Sequence, residues 1–237
     1  MIAQHGYATM KILATNDDGI DAAGLALLVR ALAPWGEVTV VAPSEEHSGC
    51  GHQVTTQRPL RVEQEGSHRY RVDGTPADCI RLGLLEINPA TDWVVAGVNP
   101  GGNLGVDVYM SGTVAAVREA ALFGKPAIAW SRYQRDRTPV DWEILCPQVQ
   151  KVFECLTSLP WKSGMFWNVN FPDPEDKTLC PQMVTCPLEL AHVPIQYQCQ
   201  QGQYYFQGNY QDRPRNSGSD VDICFSDKIA VTQLTVC

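Results

Sequence analysis

No apolar run in this chain approaches the ~20 residues that a membrane-crossing helix needs; its longest apolar stretches are strand-sized. It holds neither Cys-x-x-Cys nor His-Glu-x-x-His, so its nine cysteines and five histidines (His5, His47, His52, His68 and His192) lack the spacing of a zinc site. No Gly-x-Gly-x-x-Gly follows the first strand-like stretch, which removes the fingerprint of a dinucleotide oxidoreductase. Positive charge is scarce. With 18 Lys and Arg against 26 Asp and Glu the net charge is −8, which opposes nonspecific binding to nucleic-acid polymers or anionic membranes. Residues 1–9 lack a basic region followed by an apolar stretch, and an odd cysteine count in a chain of this length argues against a disulfide framework. The expectation is a cytoplasmic protein with reduced thiols, Cys79, Cys155 and Cys224 packing in apolar contexts.

What the chain has is alternation. The apolar stretch 10–15 reads as a strand, and Leu25, Leu28, Val29 and Leu32 recur at i, i+3, i+4 and i+7, the stripe of an amphipathic helix that Pro34 and Gly36 end. Residues 37–42 form the next strand, closed by Pro43, so the first elements make a βαβ unit. A polar, Gly-rich loop at 44–51 follows, then short strand candidates at 53–56, 60–62 and 70–72. Thr75, Pro76 and Asp78 carry the signals of a helix start. Residues 93–97 and 127–130 read as buried parallel strands around a helix at 114–123. A helix marked by Val149, Val152, Phe153 and Leu156 has Pro147 at its first turn or kinking it, and 166–171 is a strand. Beyond Pro172 the composition shifts to Gln, Tyr, Cys and Pro. The reading is one domain over 1–237: an α/β core at 10–171 with a mostly parallel sheet flanked by helices, a smaller β-rich C-terminal lobe with long loops at 172–217, and a return strand within 218–237. The polar run 211–219 reads as a surface loop.

Asn16-Asp17-Asp18-Gly19 stands at the tip of the first strand, and in open α/β sheets ligands bind beyond the carboxyl ends of strands. Because successive strand residues face opposite ways, adjacent aspartates can share one ion only where the chain has left the strand, and Gly19 permits that turn. The competing reading is that one aspartate caps the following helix. Four loops carry oxygen donors: Asp17 with Asp18, Ser44 to Ser48, Asn99 with Asn103, and Ser111 with Thr113. Such ligands suit a hard divalent cation, Mg²⁺, Mn²⁺ or Ca²⁺. Ser111-Gly112-Thr113 at a helix start supplies amides for an anion, or a plain cap. An aspartyl-phosphate phosphatase would need an acid two positions after its nucleophile, where Gly19 stands beyond Asp17.

These motifs resemble the SurE family of survival-protein nucleotidases. The match runs through Asn16 to Gly19, Val41-Ala42-Pro43 with Ser48 to Gly51, Asp73 to Cys79, Gly97-Val98-Asn99 with Gly102 to Gly105, and Ser111 to Val114, and more loosely Asn168-Val169-Asn170 and Gly218-Ser219-Asp220. The resemblance implies a Rossmann-like core, one Mg²⁺ or Mn²⁺ ion, and hydrolysis of nucleoside 5′- and 3′-monophosphates, with polyphosphate as a further substrate of some members. By motif the metal ligands would be Asp17, Asp18, Ser48 and Asn99, with Asp17 or Asp18 also catalytic as proton acceptor. Asn103, Ser111, Gly112 and Thr113 would meet the phosphate. His52, outside any motif, is a further candidate to protonate the leaving alkoxide, against a plain hydrogen-bonded histidine. Met110 replaces a common Tyr, and Ser217-Gly218-Ser219-Asp220 replaces Glu-Gly-x-Asp. The resemblance also implies a homodimer or tetramer. Since Cys237 follows directly on the last strand, the expected contact is the aromatic lobe rather than a swapped terminal helix. A nucleotide-binding stress protein with little turnover is the alternative.

Overall fold

The computed structural model describes residues 9–136, 139–176 and 179–236; His5 and Cys237 lie outside them. Among these residues nine strands form the main sheet, β1 (Met10–Thr15), β2 (Gly36–Pro43), β3 (Val62–Gly66), β4 (Arg69–Val72), β5 (Trp93–Pro100), β6 (Ala127–Arg132), β7 (Met165–Phe171), β8 (Met183–Thr185) and β11 (Ile229–Thr235), in the order β3-β4-β2-β1-β5-β6-β7-β11-β8. From β4 to β7 every neighbour is parallel; β3 runs against β4, and β11 runs against β7 but parallel to β8. β9 (Tyr197–Gln200) and β10 (Gln203–Phe206) make a separate hairpin.

Alternation along the strands builds two cores. Ile12 and Ala14 face α1 (Ala23–Leu32) and α4 (Trp142–Thr157), while Leu13 faces α2 (Pro76–Leu82) and α3 (Gly112–Leu122). Helix α1 lies so close to β5 that a Cβ on Gly24 would fall 1.9 Å from the Val98 carbonyl oxygen. The α2 start matches its sequence signals, a capping box between Thr75 and Asp78 with Pro76 in the first turn. Sequence order puts β2 on one side of β1 and β5 on the other, so the winding reverses between β1 and β5. Open α/β sheets bind ligands beyond the carboxyl ends of the strands at such a switch point, and here Asp17 and Asp18 follow β1 and Asn99 stands near the end of β5.

Three local expectations shift. Residues 53–56 are not a strand, because the α2 start takes their backbone groups: the Thr75 hydroxyl donates to the Gln53 carbonyl (2.6 Å) and the Thr55 amide donates to Asp78 Oδ1 (2.9 Å). The candidate at 60–62 begins only at Val62, as an exposed edge strand. Pro147 sits inside α4 rather than in its first turn. A helix not anticipated, α5 (Asp220–Phe225), precedes β11 and is capped by Ser219. Among the described residues of 172–217, β8 joins the main sheet, a short 3-10 helix spans Tyr210–Asp212, and the rest is loop around the hairpin.

Candidate active site

Beyond β1 the chain turns away from the sheet. Asn16 donates its amide to the Gly19 carbonyl (2.7 Å), and Gly19 has φ +99°, a conformation other residues rarely adopt. The Ile20 amide donates to Pro43 and the His47 amide to the Asp17 carbonyl, joining this turn to the 44–51 loop. Outside the loops, Asp21 receives both Arg69 and Arg71 (2.7 Å each).

Asp17 is buried against the start of α3. The Thr113 hydroxyl donates to its Oδ1 at 2.5 Å, and a Cβ on Gly112 would sit 2.8 Å from the Asp17 Cβ and 2.9 Å from Oδ2. Glycine at 112 is therefore the condition for this carboxylate to reach the helix end. Burial pushes the Asp17 carboxyl up, opposed by the Thr113 hydrogen bond. Asp18, half-buried, is pushed up to about 7 by burial and then by the charges of Asp17 and Glu46.

Asp18 Oδ2 and Asn16 Oδ1 are buried without a protein hydrogen-bond partner. Orphaned acceptors of this kind are costly, and a hard cation satisfies carboxylate and amide oxygens together. Among the described residues no three His, Cys, Asp or Glu side chains converge on a common point. Asn99, next to last in β5, donates its side-chain amide to the Gly101 carbonyl (2.8 Å). Ser48 lies exposed on the 44–51 loop and donates to Glu46 (2.7 Å), a carboxylate the sequence reading passed over.

Ser111 caps α3, its Oγ accepting from the Val114 amide (3.1 Å). The first amides of a helix have no intrahelical acceptor, so residues 112 and 113 present donors to an anion. The Thr113 side chain, however, belongs to Asp17. His52 is engaged by the buried Glu119 (2.7 Å), which also receives Arg81 (2.5 Å), and so it ties the loop to α3. In the structure His52 takes the hydrogen-bonded arrangement.

Asn103 is the centre of a buried polar lattice: its amide donates to Asn170 Oδ1 and its side chain to Ser131, while Asn168 and Asn170 donate to its carbonyl (2.8–3.0 Å). Next to it Asp220, fully buried, accepts from the amides of Gly105, Glu189 and Val221. Arg213, expected on a surface loop, is buried, donating to the Leu104 carbonyl and to Asp107. Neither was legible as such. A lone basic residue in a polar, turn-rich run carries no mark of burial.

The family described as Survival protein SurE matches residues 12–191. A Synechocystis protein provisionally named a 5′-nucleotidase is 46% identical over 227 residues, covering 96% of this chain and 100% of its own. The 5′-nucleotidase SurE of Pelobacter propionicus is 45% identical over 178 residues, 74% of this chain and 71% of its own. The crystal structure of the SurE protein from Aquifex aeolicus superposes with a TM-score of 0.86 at 28% identity, covering 96% of this chain and 94% of that one.

Proposed function

The chain belongs to the SurE family, and we propose that it is a 5′-nucleotidase, a metal-dependent phosphomonoesterase that cleaves nucleoside 5′- and 3′-monophosphates to nucleoside and phosphate. The observation that carries the reading is the Asp17–Asp18 pair at the switch point, with an unpartnered buried Asp18 oxygen facing the same end of the sheet as the start of α3. Asp17, Asp18, Ser48 and Asn99 would hold one Mg²⁺ or Mn²⁺. Such an ion supplies charge neutralisation at the phosphate and lowers the pKa of a coordinated water.

The protein's own contribution is position and charge. The amides at 112 and 113 and the positive end of α3 bind phosphate oxygens. Thr113 holds Asp17 in one orientation, which leaves Asp18, the more exposed of the two, to accept the proton of an attacking water. The new bond from water oxygen to phosphorus forms in line with the breaking bond to the sugar oxygen. Tight packing at Gly112 keeps these groups in fixed register.

The test is phosphate release from a panel of 5′- and 3′-monophosphates, a dinucleotide and polyphosphate, each with Mg²⁺, Mn²⁺ and a chelator. Release from monophosphates that chelation abolishes, with the circular dichroism spectrum retained, supports the reading. Nucleotide binding without release returns the protein to the class of nucleotide-binding stress proteins, and full turnover in chelator overturns the metal mechanism.

A further inference from the structure

The buried carboxylate of Glu119, on α3, is used by no step of the reaction above. Its side chain is 3% exposed; Arg81 of α2 donates to Oε1 (2.5 Å) and His52 is hydrogen-bonded to Oε2 (2.7 Å). A charge so far from water needs a partner, and Arg81 already neutralises it from the neighbouring helix. His52 comes from elsewhere, the end of the loop that bears Ser48. We propose that His52 is a positioning residue for the ion site: through Glu119 it sets where the 44–51 loop carries Ser48, and with that the affinity for the divalent cation. The proposal rests on the metal reading above.

The loop is fastened on both arms. On the rising arm the Ser44 amide donates to the Val72 carbonyl and the His47 amide to the Asp17 carbonyl (2.7 Å each). On the falling arm the Gly51 amide donates to the Met110 carbonyl (3.0 Å), His52 meets Glu119, the Thr75 hydroxyl donates to the Gln53 carbonyl (2.6 Å), and the Thr55 amide donates to Asp78 (2.9 Å). Between the arms Ser48 and Gly49 are exposed, and a Cβ on Gly49 would meet nothing within 4 Å. The Ser48 hydroxyl donates to Glu46 in the same loop (2.7 Å), not to the body of the protein. The location of Ser48 is therefore decided by where the arms are tied.

Among these ties, the bond from His52 to Glu119 joins two side chains, so it can be cut without touching a backbone bond. Affinity at an oxygen-ligand cation site follows ligand charge and the rigidity of the site. Partners that orient a ligand from behind are worth about 10–100-fold in metal affinity, and a neutral ligand such as Ser48 belongs at the low end of that range.

Three variants separate the loop tie from a merely structural role. His52→Ala cuts the tie and leaves Glu119 with Arg81; Arg81→Met removes the other partner and leaves the tie; His52→Gln returns an amide nitrogen near the place of Nε2. Calorimetric titration of Mn²⁺ into chelator-stripped protein gives the affinity, and hydrogen exchange of the amides at 48–51 in the metal-free protein reads the loop. We expect His52→Ala to weaken Mn²⁺ binding about tenfold and to speed exchange at 48–51, and His52→Gln to recover most of both. Arg81→Met should lower the melting temperature and keep the wild-type Mn²⁺ affinity. Unchanged affinity in His52→Ala, no recovery in His52→Gln, or equal weakening in His52→Ala and Arg81→Met overturns the proposal. Should His52→Ala not fold, His52→Leu, which keeps the packing and removes the nitrogen, takes its place with the same expectations. A wild type that binds no Mn²⁺ rejects the metal reading and this role with it; a wild type that binds, matched by every variant, rejects this role alone.

Discussion

The Thr113 hydroxyl donates to Oδ1 of the buried Asp17 across 2.5 Å, linking the start of α3 to the tip of β1. Thr113→Val keeps the side-chain shape and deletes the donor, leaving a buried carboxylate oxygen without its partner at a cost of about 1–3 kcal/mol. We expect metal affinity and kcat to fall together, with Thr113→Ser restoring both. Separate titrations of metal and nucleotide check this; a loss confined to nucleotide affinity would return the hydroxyl to the phosphate.

Gly112→Ala separates stability from activity. Alanine is intrinsically better in a helix by about 0.5–1 kcal/mol, yet its Cβ would sit 2.8 Å from the Asp17 Cβ. Either the helix start or the aspartate must shift. Phosphate release should drop by about two orders of magnitude while the helical circular dichroism signal persists, because a misplacement on the order of 1 Å costs about that much.

The pH dependence of the metal-free protein should report Asp18. Its folded pKa, raised to about 7, exceeds the unfolded value. The protonated carboxyl therefore favours folding in full below about pH 4, and that contribution is lost as the pH rises through about 7. Asp18→Asn removes the titration. In chelator at pH 8 it should be more stable than the wild type by on the order of 1–2 kcal/mol, since solvent contact trims the full effect, and equal to it near pH 4. Thermal melts across this range decide, and a constant difference refutes the assignment. Added Mg²⁺ should reverse the order at pH 8, where Asp18→Asn and Asp17→Asn should also cost about two or more orders of magnitude in turnover.

Asp220 should prove structural with a functional readout. Its two oxygens accept three buried amides, Gly105 on one and Glu189 and Val221 on the other. Asn supplies one acceptor oxygen, so Asp220→Asn should cost about 1–3 kcal/mol. Because Gly105 closes the loop that holds Asn103, KM should rise more than kcat falls.

For assembly we expect a homodimer or tetramer that uses the hairpin. Tyr204 and Tyr205 are 72% and 46% exposed, and aromatic residues are enriched at interfaces. Light scattering at micromolar concentration should show the Tyr204→Ser, Tyr205→Ser double variant to be smaller than the wild type; a monomeric wild type rejects the contact.

The sequence by itself determined the elements whose signals are local. The alternation at 10–15, the capping residues Thr75 and Ser111, and the glycine after Asp18 each act within a few residues, so strand, helix starts and turn were readable, and with them the family motif. Tertiary structure alone decided what depends on distant neighbours. Thr113 stands 96 positions from Asp17, and only the placement of α3 across the end of β1 turns its hydroxyl to a carboxylate rather than to a phosphate. Residues 53–56 have strand-like composition but lose their backbone partners to the α2 cap. Arg213 lies in a polar run, and its burial requires Leu104 and Asp107, more than a hundred residues earlier, to supply acceptors for a charge that could not otherwise leave water. Local preference is set by backbone sterics and capping, which act over a turn or two. Burial of a polar group is set by whichever partner the folded chain brings to it.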